Sequence, residues 1–517
     1  MPPTDLSPAE QRVWRAFGRG ELLDLSDADD RGVRGEIISA LLLGAQQAEP
    51  GKVAALRLTG AHITGSLEVP YADVTPMIFL RECELDNAVS LEGTTRRVIF
   101  HTCRLPGLHA PGVQVDGQLS LYGSKIDGRL TLLGANVNGE LNLSHTHLTG
   151  RDGVAVSADR LVVTGNLLAR RLDAGGRVRM PGAQISGTLD FSGAQVRNPD
   201  GEAVTAERIA VGDHLNLSGL IAEGRVRLRG ASIDGQLLLA GATLKNPGGQ
   251  ALHASAVTIG DSLYMWHGFT AEGEIVLRRT RVNGGMFIAP SGPVDVDAST
   301  ATADLLHLNV GDPAPSAVNL RQAKIRRLDG DPGQWPSRVH LDGLIYETLD
   351  PHVPAARRLE WLRRDEAGYL PQPYEQLAAM YRRLGHDTDA RHVLLAKQRL
   401  RRGTLKPTAK SWGYIQDWMV GYGYQPARAV AWLLALLVIG TAVFSLSPPQ
   451  PLRAAEAPHF NPFVYTLDLL LPIVNFGQQP AWNPAGADQW LAYLLIAAGW
   501  LLATSVAAGV TRALTRS

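Results

Sequence analysis

Apolar and polar residues alternate in short runs through the middle of the chain. From Gly117 the motif G-x-L-x-L begins again every eleven residues, at Gly128 and Gly139. Alternation with a period of two is typical of strands, and the spacing of three and four that an amphipathic helix needs is missing. Glycine or another small residue interrupts each run, which favours tight corners. The pattern therefore predicts many short strands separated by bends.

A longer period of 48 residues is superimposed on the short one. It relates Gly153 to Gly201 and Gly249, each of which closes a turn-like segment. The block fits two coils of roughly 20–24 residues, one of which carries extra turn residues. About thirteen coils stacked about 4.8 Å apart would form a rod of roughly 60 Å.

These two periods predict a mostly β fold, specifically a β-solenoid. We expect leucines such as Leu121, Leu132 and Leu143 to point into one continuous interior, because no coil can bury its own aliphatic face. The predicted solenoid domain covers residues 51–349. Cys83 and Cys103 are expected to stack in neighbouring coils as small buried residues, and a reactive thiol pair is the alternative.

Helices are predicted on both sides of the repeat. Ser7-Pro8-Ala9-Glu10 has the form of a capping box, and the apolar run Val33 to Leu43 predicts a second helix within an N-terminal cap, residues 1–50. After the solenoid, residues 350–428 are expected to form a basic helical neck. Its helical hairpin would comprise Tyr374 to Leu384 and Asp389 to Arg402.

The neck is strongly basic. It carries fourteen Lys or Arg and seven Asp or Glu between His352 and Arg428. Five basic residues precede an apolar segment and are expected to face anionic lipid headgroups: Arg399, Arg401, Arg402, Lys406 and Lys410. The alternative is an ordinary solvated helical face.

The last domain, residues 429–517, has the composition of a membrane domain. Residues 429–446 and 490–510 carry no charge, and each run is long enough to cross a bilayer. Basic residues flank the outer ends of both runs, so the positive-inside rule places both termini and the solenoid in the cytoplasm. The absence of a signal-like N-terminus agrees with this prediction.

A third apolar segment, residues 463–476, lies between the two predicted spans. It is too short for a third span and is expected to be re-entrant. Asp468 should face a cavity or a partner, because a carboxylate facing lipid is costly.

The order of helix, short apolar segment and helix resembles that of two-transmembrane pore-loop cation channels. Asn475-Phe476-Gly477-Gln478 is similar to a degraded form of their filter motif, with Asn475 where the first glycine would stand. The resemblance implies a pore loop, and a re-entrant anchor or an oligomer contact is the alternative.

Composition narrows the function further. The 517 residues include 50 basic and 50 acidic residues, and this balance disfavours a nucleic-acid binder. Only seven of the basic residues are lysine, which we associate with a GC-rich bacterial genome.

No motif for phosphate, dinucleotide or zinc binding occurs, so we predict no catalytic, cofactor-binding or metal-binding residue and no cofactor. We interpret Asp213-His214, and Asp261 with His267, as polar residues of solenoid turns.

The solenoid repeat resembles the pentapeptide-repeat superfamily and related right-handed β-helices, and this resemblance implies that the solenoid is a right-handed β-helix. The whole chain is also similar to bacterial membrane proteins catalogued as membrane-associated oxidoreductases. That resemblance rests on the repeat, on residues 373–391 (PYEQLAAMYRRLGHDTDAR), on residues 421–426 (GYGYQP) and on the paired apolar segments. It implies redox activity, although none of these residues carries a redox chemistry that we can name.

Three hypotheses follow. The first is a scaffold anchored in the bacterial inner membrane that binds an unidentified protein through its solenoid. The second is an oligomeric pore-loop channel or sensor gated by the solenoid, which would require a homo-oligomer. The third is an oxidoreductase.

Overall fold

The computed structural model describes residues 5–403, 414, 417, 426–453, 457–471 and 473–514, and of 426 and 505–514 the backbone only. The chain divides into two compact units, Met1–Gln376 and Leu377–Ser517. The first unit is a parallel β-solenoid of about 13 turns, which confirms the predicted β-solenoid. Its winding to the right stays a prediction.

Each turn of the central solenoid contributes four short strands, which stack into four parallel ladders. The first ladder comprises Leu23–Asp24, Leu56–Thr59, Ile78–Arg81, Val98–His101, Leu119–Ser120, Leu141–Asn142, Leu167–Leu168, Leu189–Asp190, Leu215–Asn216, Leu237–Leu238, Leu263–Met265, Gly285–Ile288, Thr302–Leu308, Lys324–Asp329 and Thr348–Asp350. The second ladder begins with Gly32–Arg34, His62–Thr64, Glu84–Leu85, Arg104–Leu105, Lys125–Ile126, His147–Leu148 and Asp173–Ala174.

The third ladder starts with Glu68–Val74, Val89–Thr95, Leu108–His109, Leu130–Thr131, Val154–Ser157 and Arg177–Arg179. Each of the next four strands is longer and belongs to both the second and the third ladder: Gln195–Thr205, Ile221–Arg227, Thr243–His253 and Thr270–Val276. The third ladder ends with Asp295–Asp297, Ala317–Asn319 and Arg338–His340. The fourth comprises Gln114–Val115, Asn136–Val137, Val162–Val163, Gln184–Ile185, Ala210–Val211, Ser232–Ile233, Thr258–Ile259 and Arg281–Val282.

The interior of the solenoid is a column of aliphatic side chains. Along the first ladder, strand register joins one buried residue per turn: Leu56, Ile78, Val98, Leu119, Leu141, Leu167, Leu189, Leu215, Leu237, Leu263, Met286, Leu306, Leu328 and Leu349. Leu121, Leu132 and Leu143 are also buried, as predicted. Cys83 and Cys103 are buried free thiols, and the amide of Arg104, next to Cys103, donates to the Cys83 carbonyl at 2.9 Å.

The period of 48 residues consists of a shorter and a longer turn. Register joins Leu167 to Leu189 and Leu189 to Leu215, and the second interval is four residues longer. The extra residues lie in the corner between the second and third ladders, where residues 198–201 oppose Gly224 alone. Gly224 has a φ of +111°, and a Cβ there would lie 2.3 Å from the Asn198 carbonyl oxygen. Glycine is therefore required where the longer corner passes.

The N-terminal segment covers the first turn. Helix α1 (Pro8–Arg19) starts with the predicted capping box: the Glu10 amide donates to Ser7 Oγ and the Ser7 amide donates to Glu10. Arg34 binds the Glu10 carboxylate with two nitrogens, and this hydrogen bonding holds the pKa of Glu10 down at about 2. The predicted helix from Val33 to Leu43 is only partly correct, because Val33 lies in a strand paired with Ile63. Helix α2 (Gly35–Ala40) and a π-helical turn (Leu41–Ala45) follow.

The other end of the solenoid is covered by the chain that follows it. A 3-10 turn, Pro332–Gln334, and helix α3 (Ala355–Leu362) bring the Trp335 and Trp361 rings within 4.9 Å of each other. The Leu341 amide donates to Asp365 Oδ2 at 2.9 Å, and Gln372 accepts from the Gly343 amide and donates to the Leu344 carbonyl. Open strand edges are a liability, and these side chains occupy backbone groups that a further turn would have paired.

The remaining helices follow the predicted order. The helical hairpin comprises α4 (Pro371–Arg383) and α5 (Asp387–Gly403). After it come α6 (Pro426–Leu446), α7 (Pro462–Leu470) and α8 (Ala487–Leu514), with a 3-10 turn at Gln479–Ala481 and a small antiparallel pair, Gln450–Pro451 with Trp482–Asn483.

Of the described residues, one helix is long and apolar enough to span a membrane, Ala427–Leu446 within α6. The second predicted span falls in α8, whose side chains are described only to Thr504. The second crossing therefore stays a prediction.

Leu237→Ala should destabilise the solenoid by about 2–5 kcal/mol, because it leaves a cavity in the interior column. Leu238→Ala is the matched control, because the side chain of Leu238 points outward and is only half-buried. Chemical unfolding of both variants, followed by circular dichroism, measures the difference. Equal losses for the two variants would contradict the assignment of inner and outer positions.

Candidate functional site

The segment between the two apolar helices is folded against both of them. Tyr465, Leu469 and Leu470 of α7 belong to a buried cluster with Phe444 of α6 and Leu495 of α8. The Tyr465 ring meets the Phe444 ring edge-on at 4.9 Å. The short apolar helix therefore lies inside a three-helix unit rather than in a free loop.

Two glycines allow this close packing. A Cβ on Gly440 of α6 would lie 2.4 Å from Thr466 Cγ2, and one on Gly499 of α8 would lie 2.3 Å from the Leu470 carbonyl oxygen. Small residues let helix backbones approach closely within membranes. Neither glycine is among the residues predicted from the sequence, although a glycine inside each apolar run is a visible signal.

Helix α7 is short and ends partway along α8. Asn461 caps its first turn by accepting from the amides of Phe463 and Val464, and the helix extends nine residues, about 13 Å. Its end at Leu470 reaches Gly499, which lies about 18 Å along α8 from its start at Ala487. The chain then returns through residues 473–478.

Asp468 holds this returning loop. Its carboxylate is buried and accepts three backbone N–H groups, from Phe476 at 2.8 Å, Gln478 at 3.0 Å and Gln479 at 2.7 Å. The sequence had suggested that Asp468 faces a cavity or a partner. The structure instead shows that the carboxylate is satisfied by the backbone of its own loop, at sequence separations of eight to eleven residues.

The other predicted residues of the loop lie close together. Gly477 has a φ of +83°, and its amide donates to Asn475 Oδ1 at 2.7 Å. The Gln478 side chain is buried, and its Nε2 donates to the His459 carbonyl at 3.1 Å. Phe476 is about half exposed. Asp468, Asn475, Phe476, Gly477 and Gln478 thus form one compact unit, hereafter called the re-entrant loop after the role predicted from the sequence.

The basic cluster of the neck is only partly described. Arg399 binds the Asp417 carboxylate with two nitrogens, and Arg402 binds it at 3.1 Å. Burial raises the pKa of Asp417, and the hydrogen bonds and charges of the two arginines outweigh burial, so the net pKa lies below the usual range. Arg401 is exposed, and Lys406 and Lys410 lie outside the described residues.

Arg402 also lies over the Tyr414 ring, 3.8 Å from its centroid. Two of the five predicted lipid-facing charges, those of Arg399 and Arg402, therefore share one acidic partner.

The polar residues singled out on the solenoid have structural contacts. The Gln236 amide donates to His214 Nδ1 at 3.0 Å, and Asp213 accepts from Thr188 at 2.8 Å. His267 stacks on Trp266 with ring centroids 4.5 Å apart. The contacts of Asp213 and His214 link neighbouring turns, whereas His267 stacks on the adjacent residue of its own turn.

Comparison of the chain with protein-family models, with curated proteins and with solved structures found no match. The resemblances to pentapeptide repeats and to membrane-associated oxidoreductases therefore gain no support beyond the solenoid itself.

Asp468→Asn should loosen the re-entrant loop, because an amide oxygen can replace only part of a carboxylate that accepts three N–H groups. We expect faster hydrogen exchange at the amides of Phe476, Gln478 and Gln479, measured by mass spectrometry on the full chain in detergent. Asp488→Asn, at the start of α8, is the matched control and should leave the loop unchanged. Unchanged exchange in Asp468→Asn would contradict the role of this carboxylate.

Proposed function

We propose that this protein is a membrane-anchored scaffold, in which α6 and α8 hold the chain in a bilayer and the solenoid presents a stiff surface to a protein partner. The observation that carries the proposal is the exposure of α6. Leu434 and Val438 are 58% and 69% exposed in the chain, although they lie in the middle of the uncharged run 429–446, within a helix of membrane-spanning length. Lipid is the environment that such a surface fits.

The location follows from the charge of the flanking segments. Basic residues lie outside the ends of both apolar runs, and a basic neck precedes the first. We therefore propose two spans in the inner membrane of a bacterium, with the solenoid and both termini in the cytoplasm.

The solenoid suits a scaffold because its shape does not depend on a ligand. Thirteen turns with a dry aliphatic interior form a rod of roughly 60 Å. Residues on its outer surface can vary without disturbing the interior column, since successive side chains of a strand point to opposite faces. A surface of this kind fits an extended protein partner.

Replacing both Leu434 and Val438 by Arg should release the chain from membranes. Each charge at a helix centre costs about 2.5–3.5 kcal/mol of insertion free energy. Membrane flotation and alkaline extraction measure the effect, and Val53→Arg, on an 80% exposed valine of the solenoid unit, should stay with the membrane.

If the protein is a scaffold, the variant with Arg in place of Leu434 and Val438 should bind the same protein partner as the parent chain. Cross-linking and pull-down experiments measure this binding. Membrane association that persists in the double variant would overturn the anchor. A partner that is lost together with the anchor would overturn the scaffold.

A second candidate function is an oligomeric cation pore, favoured by the orientation of the re-entrant loop. The amides of Phe476 and Gln478 point at Asp468, and a trans peptide presents its carbonyl opposite its N–H. The carbonyls of Asn475 and Gly477 therefore point away from Asp468, on an exposed part of the loop. Rings of such carbonyls coordinate cations in channels.

The pore candidate predicts potassium or sodium flux in liposomes that contain the purified oligomer. Gly477→Ala should reduce this flux strongly, because alanine disfavours the left-handed backbone at this position. Gly486→Ala also replaces a left-handed glycine, but outside the loop, and serves as the control. A folded oligomer without flux would eliminate the pore and leave the scaffold in place.

A further inference from the structure

A row of arginines lies on the outer surface of the third ladder. Arg225, Arg227 and Arg229 occupy alternate positions, and the residues between them, Val226 and Leu228, are buried in the solenoid interior. The three guanidinium groups therefore project from the same side of one turn. Strand register places His253 of the next turn beside Arg227. Arg225, Arg227, Arg229 and His253 are called the arginine patch.

The acidic partners of this patch lie on one side only. Arg227 binds Glu202 at 2.7 Å and Glu207 at 2.9 Å, and both glutamates belong to the preceding turn. Arg225 and Arg229 form no ion pair with any described residue, and the buried Nε of Arg225 has no hydrogen-bond partner among them. The side of the patch that faces the next turn is therefore not neutralised.

Three arginines elsewhere on the solenoid surface show the paired arrangement. Arg278 binds Asp297, Arg326 binds Asp304 with two nitrogens, and Arg179 binds Asp159. Each of these arginines has an acidic residue on a neighbouring turn. Arg225 and Arg229 differ from these three, because they form no ion pair with the residues that the structure describes.

The pKa of His253 reflects the positive charge of the arginine patch. Burial lowers the pKa of His253, and the charges of Arg227, Arg225 and Arg229 lower it further. The imidazole is therefore neutral at pH 7, although it lies in a row of cationic side chains. A bound anion would relieve the repulsion among the arginines and would interact with a surface that is already preorganised by the strand.

We propose that the arginine patch binds a ligand that carries two or more phosphate groups. Guanidinium groups match phosphate oxygens with two parallel hydrogen bonds, which is the geometry that selects arginine for phosphate recognition. Alternate residues of a strand lie about 6.6 Å apart, which is the spacing of Arg225 and Arg227, and Arg229 continues the row in the turn that follows the strand. A row of three guanidinium groups extends beyond a single phosphate and therefore favours a ligand with two or more phosphates. The proposal does not depend on membrane anchoring.

The test is calorimetric titration of the full chain in a neutral detergent with pyrophosphate, orthophosphate and glycerol 3-phosphate. We expect pyrophosphate to bind more tightly than the two monophosphates, and its affinity to fall with added salt. Tighter binding of glycerol 3-phosphate would assign the same site to a lipid headgroup and would overturn the preference for two phosphates.

Two double variants complete the experiment. Arg225→Gln with Arg229→Gln should weaken pyrophosphate binding at least tenfold. Arg278→Gln with Arg326→Gln removes the same charge from paired positions and should change the affinity less than twofold. Replacing Arg225 and Arg229 by Lys keeps the charge but removes the paired N–H groups of the guanidinium, and should give an intermediate loss of affinity. Circular dichroism checks that each variant is folded. The proposal is overturned by an absence of saturable binding, or by equal losses in the two glutamine variants.

Discussion

Stacking of one turn upon the next is the interaction on which the solenoid depends. A single turn has strands of two to eleven residues, which are not stable alone, and its aliphatic side chains would face water. The neighbouring turn covers those side chains and accepts or donates the backbone hydrogen bonds. Stability is therefore shared between nearest neighbours, and the two ends need separate solutions. Glu10 with Arg34 orders the cap at one end, and Asp365 with Gln372 satisfies backbone groups at the other.

This constraint leaves the outside of the rod free. Each strand commits one side to the aliphatic column, while the other side can carry any residue that tolerates the register. The arginine patch uses this freedom, and so does the stacked pair Tyr264 and Phe287, whose rings lie 4.9 Å apart on adjacent turns. The longer corners extend the same principle, because four added residues are accommodated between Arg197 and Val204 while the ladder continues on both sides. The strand register therefore determines where functional side chains lie on the solenoid surface.

Much of this fold could be predicted because stacking imposes a period on the sequence. The eleven-residue spacing is half of a 22-residue turn, as Leu119 and Leu141 show, and the 48-residue period is one shorter and one longer turn. Prediction was wrong where no period exists. Val33 lies in a strand of three residues, which alternation cannot reveal, so it was assigned to a helix. The contacts of Asp468 could not be predicted from the sequence either, because the amides that donate to its carboxylate come from a loop with no regular pattern.

The unit of α6, α7 and α8 depends on a different balance. An ionised carboxylate inside an apolar segment is costly unless hydrogen bonds replace water, and Asp468 receives three from its own loop. The same hydrogen bonds pair N–H groups of the loop that would otherwise have no partner. Irregular backbone in an apolar environment is tolerated only where it is buried in protein or hydrogen-bonded. The carboxylate and the loop therefore stabilise each other, and neither is favourable without the other. Gly440 and Gly499 complete the arrangement, because only glycine lets α7 lie close enough to α6 and α8 to shield that carboxylate.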